Sequence, residues 1–173
     1  MSGEARPPGE EDDGAVEAAV AWVRAVMDER DLDRAWPMTD PSLRKVLAQH
    51  WILQSRPEVV GPPEQWESLA DRLAACPPRH PLWGRFAKER LARWREFWPG
   101  FSAETWGVRS RSEPRPGLVV VAFVEPRGKL MSLRPGPPLQ FRHLAVRRTP
   151  GGWLLAGLDG ARLFEPGWPP APA

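Results

Sequence analysis

His143 is the residue of this sequence best placed for acid–base chemistry. Such catalysis needs a carboxylate or a histidine that is desolvated enough for its pKa to approach neutrality. Because side chains alternate between the two faces of a strand, Phe141, His143 and Ala145 share one face of the strand predicted over residues 139–148. This face is apolar and is therefore predicted to be the inner one. Two interpretations stay open: a general base in a pocket, or a structural histidine hydrogen-bonded to the backbone.

The carboxylates are poorly placed for catalysis. Glu104, Glu125 and Asp159 fall at the ends of predicted strands, where side chains usually meet water. Asp40 directly precedes Pro41, a position typical of a helix N-cap. Whether the protein is an enzyme stays open, although the scarcity of catalytic groups favours a protein that is not one.

Cofactor and metal sites are not predicted. The three histidines are far apart in the sequence, and Cys76 has no partner at a metal-ligand spacing. The sequence contains neither the Gly-x-Gly-x-x-Gly pattern nor a phosphate-binding loop. The expected cofactor content is therefore none.

Large aromatic side chains and one arginine are the candidate ligand contacts of this sequence. Arg147 continues the face of His143 toward the strand end, where its guanidinium could hold a carboxylate or phosphate bidentately. A solvated strand end is the competing interpretation. The residues predicted to contact a ligand are Trp83, Trp94, Trp106, Phe123, Phe141 and Arg147.

The helix predicted over residues 81–98 carries an apolar stripe at spacings of three and four. Trp83, Phe86, Trp94 and Trp98 belong to this stripe. A stripe this bulky is predicted to pack against the concave face of a sheet. The arginines of the same helix are predicted to form a solvated face, and buried tryptophans could not stack on bases, which argues against nucleic-acid binding.

The composition supports a folded domain with a substantial core. The sequence has 10 Trp and 6 Phe, and each such side chain buries roughly 150–250 Å² when packed. It has 22 Pro but no Tyr, which indicates a bacterial genome of high GC content and explains much of the arginine excess by codon usage. The net charge is +2, but it is unevenly distributed, since the N-terminal segment is acidic.

Period and turn signals divide the chain into helices followed by strands. Residues 1–12 are predicted to be a disordered acidic tail, residues 13–164 a single α+β domain, and residues 165–173 a disordered Pro-rich tail. Within the domain the predicted helices cover 14–30, 41–54, 64–75 and 81–98. The predicted strands begin at Trp106 and cover 118–124, 139–148 and 153–158, with a possible edge strand at 129–131 in a loop over 126–138.

Nothing in the sequence points to export or to a membrane. The N-terminus lacks a basic segment followed by an apolar stretch, and no run reaches the ~18 apolar residues of a membrane span. A single cysteine cannot form an intramolecular disulfide. A cytoplasmic location without membrane contact is therefore expected.

Three segments resemble the nuclear transport factor 2-like superfamily, which includes the SnoaL-like polyketide cyclases. They are Asp31–Trp36, Asp40–Arg44 and the closing hairpin 141–156 around Gly151-Gly152-Trp153. The resemblance spans roughly residues 14–160. It implies a cone, or cystatin-like α+β barrel, in which a strongly curved antiparallel sheet wraps around N-terminal helices. It also implies a pocket at the open end and a homodimer formed through the sheet.

Three functions follow as hypotheses. The first is a non-catalytic or accessory domain of the nuclear transport factor 2-like type that binds a small apolar molecule or a protein partner. The second is an enzyme resembling the SnoaL-like cyclases or isomerases, with His143 as general base. The third, which the sequence favours least, is an Arg-rich nucleic-acid binder.

Overall fold

The protein is an α+β fold in which helices precede an antiparallel sheet, as the sequence predicted. The computed structural model describes residues 10–125 and 140–170, so the predicted edge strand and nearly all of the predicted N-terminal tail lie outside the described residues. None of the helices in these ranges is long and apolar enough to cross a membrane. The helices are α1 Glu10–Val23, α2 Leu32–Ala35, α3 Pro41–Gln54, α4 Pro57–Val60, α5 Trp66–Ala74 and α6 Trp83–Phe97. The strands are β1 Gly107–Arg115, β2 Leu118–Val124, β3 Phe141–Thr149 and β4 Gly152–Gly157.

Helix α3 begins and ends at the predicted residues, and its start is encoded locally. The Asp40 carboxylate accepts a hydrogen bond from the backbone N–H of Ser42 at 2.9 Å, and Pro41 occupies the first turn, where its missing N–H costs nothing. The backbone N–H of Asp40 also donates to the carbonyl of Leu155 at 2.7 Å. This bond ties the start of α3 to strand β4.

The four strands form one antiparallel sheet in the order β1-β2-β3-β4. Strands β2 and β3 stay in continuous register from the Leu118–Arg147 pair to the Val124–Phe141 pair. Irregularities interrupt the β1–β2 ladder and the β3–β4 ladder, the latter between Ala145 and Val146. Such bulges bend strands locally.

Helix α1, and not α6, packs against the sheet, so the predicted partner of the tryptophan stripe is wrong. Helix α1 lies over β2, β3 and β4, and its buried Ala15 and Ala19 allow a close approach. The aromatic rings of α6 pack among helices instead: Trp94 meets Trp22 of α1 edge-on at 5.3 Å, and Phe86 meets Trp36 at 5.5 Å. Helical periodicity specifies which face is buried but not which element covers it.

The chain after β4 crosses back over the helices. Phe164 is buried, and the backbone N–H of Gly167 donates to Gln49 of α3 at 3.2 Å. The Trp168 ring lies 5.7 Å from the Trp66 ring of α5, and its indole N–H donates to a Glu67 carboxylate oxygen. Residues 165–170 therefore contact the domain, in a segment whose Pro-rich composition predicts disorder.

Candidate functional site

A cavity of about 510 Å³ lies between helices α3 and α6, the beginning of β3 and the segment that follows β4. The two helices supply most of its apolar wall, namely Leu43, Val46 and Leu47 from α3 and Trp94 and Phe97 from α6, and Trp98 follows directly after α6. These positions recur at spacings of three and four, which place them on the facing sides of the two helices. Phe141, Leu158 and Phe164 complete the apolar lining.

The cavity lies beside the part of β3 that β4 does not cover. Strand β4 stops at Gly157, whereas β3 begins at Phe141 and so extends past it. A Cβ atom on Gly157 would lie 2.7 Å from the carbonyl oxygen of Arg162, so only glycine fits where the chain turns. Beyond this turn the backbone N–H of Gly160 donates to the carbonyl of His143 at 3.2 Å. The turn therefore holds Leu158 and Asp159 against the cavity.

Arg90 is the most unusual residue of the cavity wall. It is only 7% exposed, and one terminal nitrogen of its guanidinium donates to the Leu47 carbonyl at 2.8 Å. Its Nε is buried and has no hydrogen-bond partner among the described residues. Burial, and secondarily the charge of Arg93, lower the pKa of Arg90 from its ordinary value to about 10. Within the described ranges no carboxylate forms an ion pair with it, so the charge is buried without a counter-ion.

Two further arginines make the cavity wall cationic. Arg93 donates to the side-chain oxygen of Gln54, and its guanidinium carbon lies 5.5 Å from the centre of the Phe97 ring. Arg142 stands over the Trp106 ring at 5.8 Å, and in the part of the chain that the structure describes its buried Nε likewise has no partner. Two histidines, His50 and His143, also line the cavity. Among the described lining residues, Asp159 is the one carboxylate.

His143 lines the cavity from an exposed position rather than from the core. Its ring stacks on that of Phe141 at 6.3 Å with an angle of 16° between the planes. The inner face of β3 carries Leu144 and Val146, which belong to the main core, so the prediction that His143 lies on the inner face is wrong. Both faces of mid-β3 are apolar, and alternation therefore could not identify the inner one.

The structure brings together three of the residues predicted for the site. Trp94, Phe141 and His143 all line the cavity. Trp83, Trp106 and Phe123 lie elsewhere. The indole N–H of Trp83 donates to Asp33 at 2.7 Å, that of Trp106 donates to the Gly100 carbonyl at 2.9 Å, and Phe123 is fully buried in the core.

Arg147 also lies away from the cavity. Its Nε donates to Asp40 at 3.0 Å, and a terminal nitrogen binds the same carboxylate oxygen. The Asp40 side chain is 3% exposed and that of Arg147 is 39% exposed. This pair joins the start of α3 to β3, and the guanidinium already holds a carboxylate from its own chain.

Sequence reasoning missed Arg90 because it assigned the arginines of α6 to a solvated face. The signal was present in the spacing: Arg90 stands four residues after Phe86 and four before Trp94, inside the apolar stripe. An arginine at such a position is buried with its neighbours, as the structure shows for Phe86, Arg90 and Trp94.

The described residues contain no group of three or more His, Cys, Asp or Glu side chains that could hold a metal ion. The cavity wall is mostly apolar and aromatic, and most of its polar groups are guanidinium and imidazole groups. No protein-family model, no curated protein and no solved structure matches this chain.

Proposed function

We propose that this chain is a non-catalytic domain that binds a small molecule with an apolar body in the cavity between α3 and α6. The cavity itself carries the proposal. Its volume of about 510 Å³ falls within the ~300–1,000 Å³ typical of small-molecule sites, and its wall is mostly apolar.

The rim supplies a driving force for binding. Phe97 is 62% exposed and Phe141 is 40% exposed, although both line the cavity. A ligand that covers these rings removes apolar surface from water, which contributes roughly 25 cal/mol per Å². Aromatic rings also stack on planar ligands at little entropic cost, since only two side-chain torsions must be fixed.

Binding of a neutral fluorescent dye tests this proposal. N-phenyl-1-naphthylamine is uncharged and brightens in apolar sites, so its titration reports entry into the cavity. Phe97→Ser should weaken dye binding about tenfold, because the ring supplies stacking area at the rim. Leu53→Ser is the matched control: Leu53 is 43% exposed on α3 but does not line the cavity. Absence of dye binding, or equal binding by both variants and wild type, contradicts the proposal.

The proposal extends to the fold family. We infer that the chain is of the nuclear transport factor 2-like type, with a sheet curved into a cone and a homodimer formed through the sheet. Support comes from the Asp40-Pro41 helix start, the helices-then-strands order and the closing β3–β4 hairpin at Gly151-Gly152-Trp153. Light scattering after size exclusion tests the dimer, which requires twice the chain mass of 19.4 kDa. A monomer at micromolar concentration contradicts it.

A catalytic role for His143 is the second candidate, favoured by its place in the cavity wall. An exposed imidazole beside an apolar cavity can exchange protons with a bound substrate. In this case turnover of a SnoaL-type substrate should disappear in His143→Ala and persist in His80→Ala, since His80 lies outside the cavity. Equal activity in the two variants removes this candidate.

A further inference from the structure

We propose that the ligand is an amphipathic carboxylate whose head group binds the guanidinium of Arg90 while its apolar body fills the cavity. This inference rests on the proposed small-molecule function and specifies the chemistry of the ligand. It excludes purely apolar molecules as the preferred occupants.

The first argument is the absence of a counter-ion for a buried charge. Charged side chains are almost never fully buried unless they are paired. Arg90 is 7% exposed and, in the part of the chain that the structure describes, has neither an ion pair nor a partner for Nε. An anion brought by a ligand would supply the missing counter-ion.

The second argument is the orientation of the guanidinium. The bond from a terminal nitrogen to the Leu47 carbonyl fixes the plane of the group, and the Phe86 and Trp94 rings stand 5.9 and 6.0 Å from its central carbon. Arg90 and Leu47 both line the cavity. A planar fork with unused N–H donors matches a carboxylate, which accepts two parallel hydrogen bonds.

The third argument is the charge of the surrounding wall. Arg93 and Arg142 line the same cavity and add two further guanidinium groups to its wall. Asp159 is the one opposing carboxylate among the described lining residues. An anion entering this cavity therefore meets a positive potential, which is strengthened by the low dielectric of the apolar wall.

Displacement of bound N-phenyl-1-naphthylamine by decanoate and by decanol tests the inference. The two competitors share the same ten-carbon chain and differ only in the head group. Charge-assisted hydrogen bonds to one guanidinium correspond to a preference of about 10- to 100-fold for decanoate at pH 8, where Arg90 is protonated. Arg90→Met should bring the two competitors to within about threefold.

Arg95→Met serves as the control, because Arg95 is an exposed arginine of α6 outside the cavity. This variant should keep the full decanoate preference. Arg90→Lys is the second probe and does not remove the charge: it keeps an ammonium but loses the planar fork, so the preference should fall to an intermediate value. It decides the matter if the methionine variant does not fold.

The outcomes separate the two proposals. Equal displacement by decanoate and decanol in wild type overturns the carboxylate inference and leaves the proposed binding function standing. A decanoate preference that survives in Arg90→Met, or in Arg90→Lys at full strength, overturns the assignment to Arg90. Failure of the neutral dye to bind overturns both proposals.

Discussion

Replacing Arg90 by methionine should stabilise the unliganded protein, although it removes a side chain with several contacts. The pKa of Arg90 is lowered from the ordinary arginine value to about 10, chiefly by burial. A difference of one in pKa corresponds to about 1.4 kcal/mol. Keeping this arginine charged in the folded protein therefore costs about 3 kcal/mol at neutral pH.

The contacts that methionine loses offset part of this gain. The hydrogen bond to the Leu47 carbonyl contributes about 1 kcal/mol, and the Leu47 carbonyl keeps its helical partner within α3. Attraction to the Phe86 and Trp94 rings contributes roughly a further 0.5–1 kcal/mol. The net expectation is a gain of about 1–2 kcal/mol, because methionine fits an irregular apolar site and carries no charge to desolvate.

Urea unfolding at pH 8 measures this difference, with Arg95→Met as the matched surface control. A chain of this length gains roughly 2–4 °C in Tm per kcal/mol, so thermal unfolding should show an increase of about 2–8 °C for Arg90→Met. The control should stay within about 0.5 kcal/mol of wild type. A loss of more than about 1 kcal/mol in Arg90→Met would refute the reasoning, since it would mean that the guanidinium is held by its contacts and not merely tolerated.

The pH dependence of the stability difference between Arg90→Met and wild type tests whether burial of the charge causes it. Arg90 binds its proton less tightly in the folded than in the unfolded state, so the cost is fully present below about pH 10. This cost is relieved as the pH rises above about 10, because the folded protein then releases the proton before the unfolded chain does. The advantage of Arg90→Met should therefore be constant from pH 7 to 9 and narrow above pH 10. A gap that widens there would contradict the burial explanation.

Three further predictions concern other polar groups that are buried or partly buried. Arg147→Met should lower the free energy of unfolding in urea by about 2 kcal/mol, because it leaves the buried Asp40 carboxylate without its cation. Asp40→Asn keeps a helix cap and should lower it by about 1 kcal/mol, and a larger loss in Asp40→Asn than in Arg147→Met would contradict this prediction. The buried indole N–H of Trp22 donates to the Thr39 hydroxyl at 3.0 Å, so Thr39→Val, which removes this acceptor, should lower the free energy of unfolding by about 1–3 kcal/mol. Thr39→Ser keeps the hydroxyl and should lower it less, and equal losses in the two variants would contradict a role for this hydrogen bond. Burial lowers the pKa of His80 below 6.5, so the free energy of unfolding of the wild type should fall as the pH drops below 6.5. This pH dependence should be smaller in His80→Gln, and an unchanged dependence would contradict the prediction.

Local signals account for the parts of the fold that were predictable. The start of α3 follows from Asp40 and Pro41, whose cap and first-turn geometry are encoded locally. The β2 strand follows from a run of β-branched residues, and the β3–β4 hairpin from a glycine turn in which Gly152 has a φ of +119°. None of these features depends on a distant part of the chain.

The unpredicted features depend on partners that are distant in sequence. The pairing of Trp94 with Trp22 spans most of the helical half, and no periodicity in α6 specifies it. The docking of the C-terminal segment depends on Trp168 meeting Trp66. A prediction from composition gives no special weight to one tryptophan. A Pro-rich segment is therefore predicted to be disordered even where a single indole contact attaches it to the domain.

The candidate site was partly predictable for the same reason. Trp94 and Phe141 were predicted as lining residues, but Arg90 was hidden among the other arginines of α6 because composition treats them as equivalent. Position within the apolar stripe separates Arg90, which is 7% exposed, from its exposed neighbour Arg93. An arginine at a core position of a helix is thus a signal that sequence reasoning can use.

An experimental structure of the complex with decanoate tests most directly whether a ligand anion neutralises the buried arginine. The carboxylate should lie about 2.7–2.9 Å from the nitrogens of Arg90, with the alkyl chain between α3 and α6. A carboxylate that points to solvent, or a fatty chain bound outside this cavity, would contradict the account.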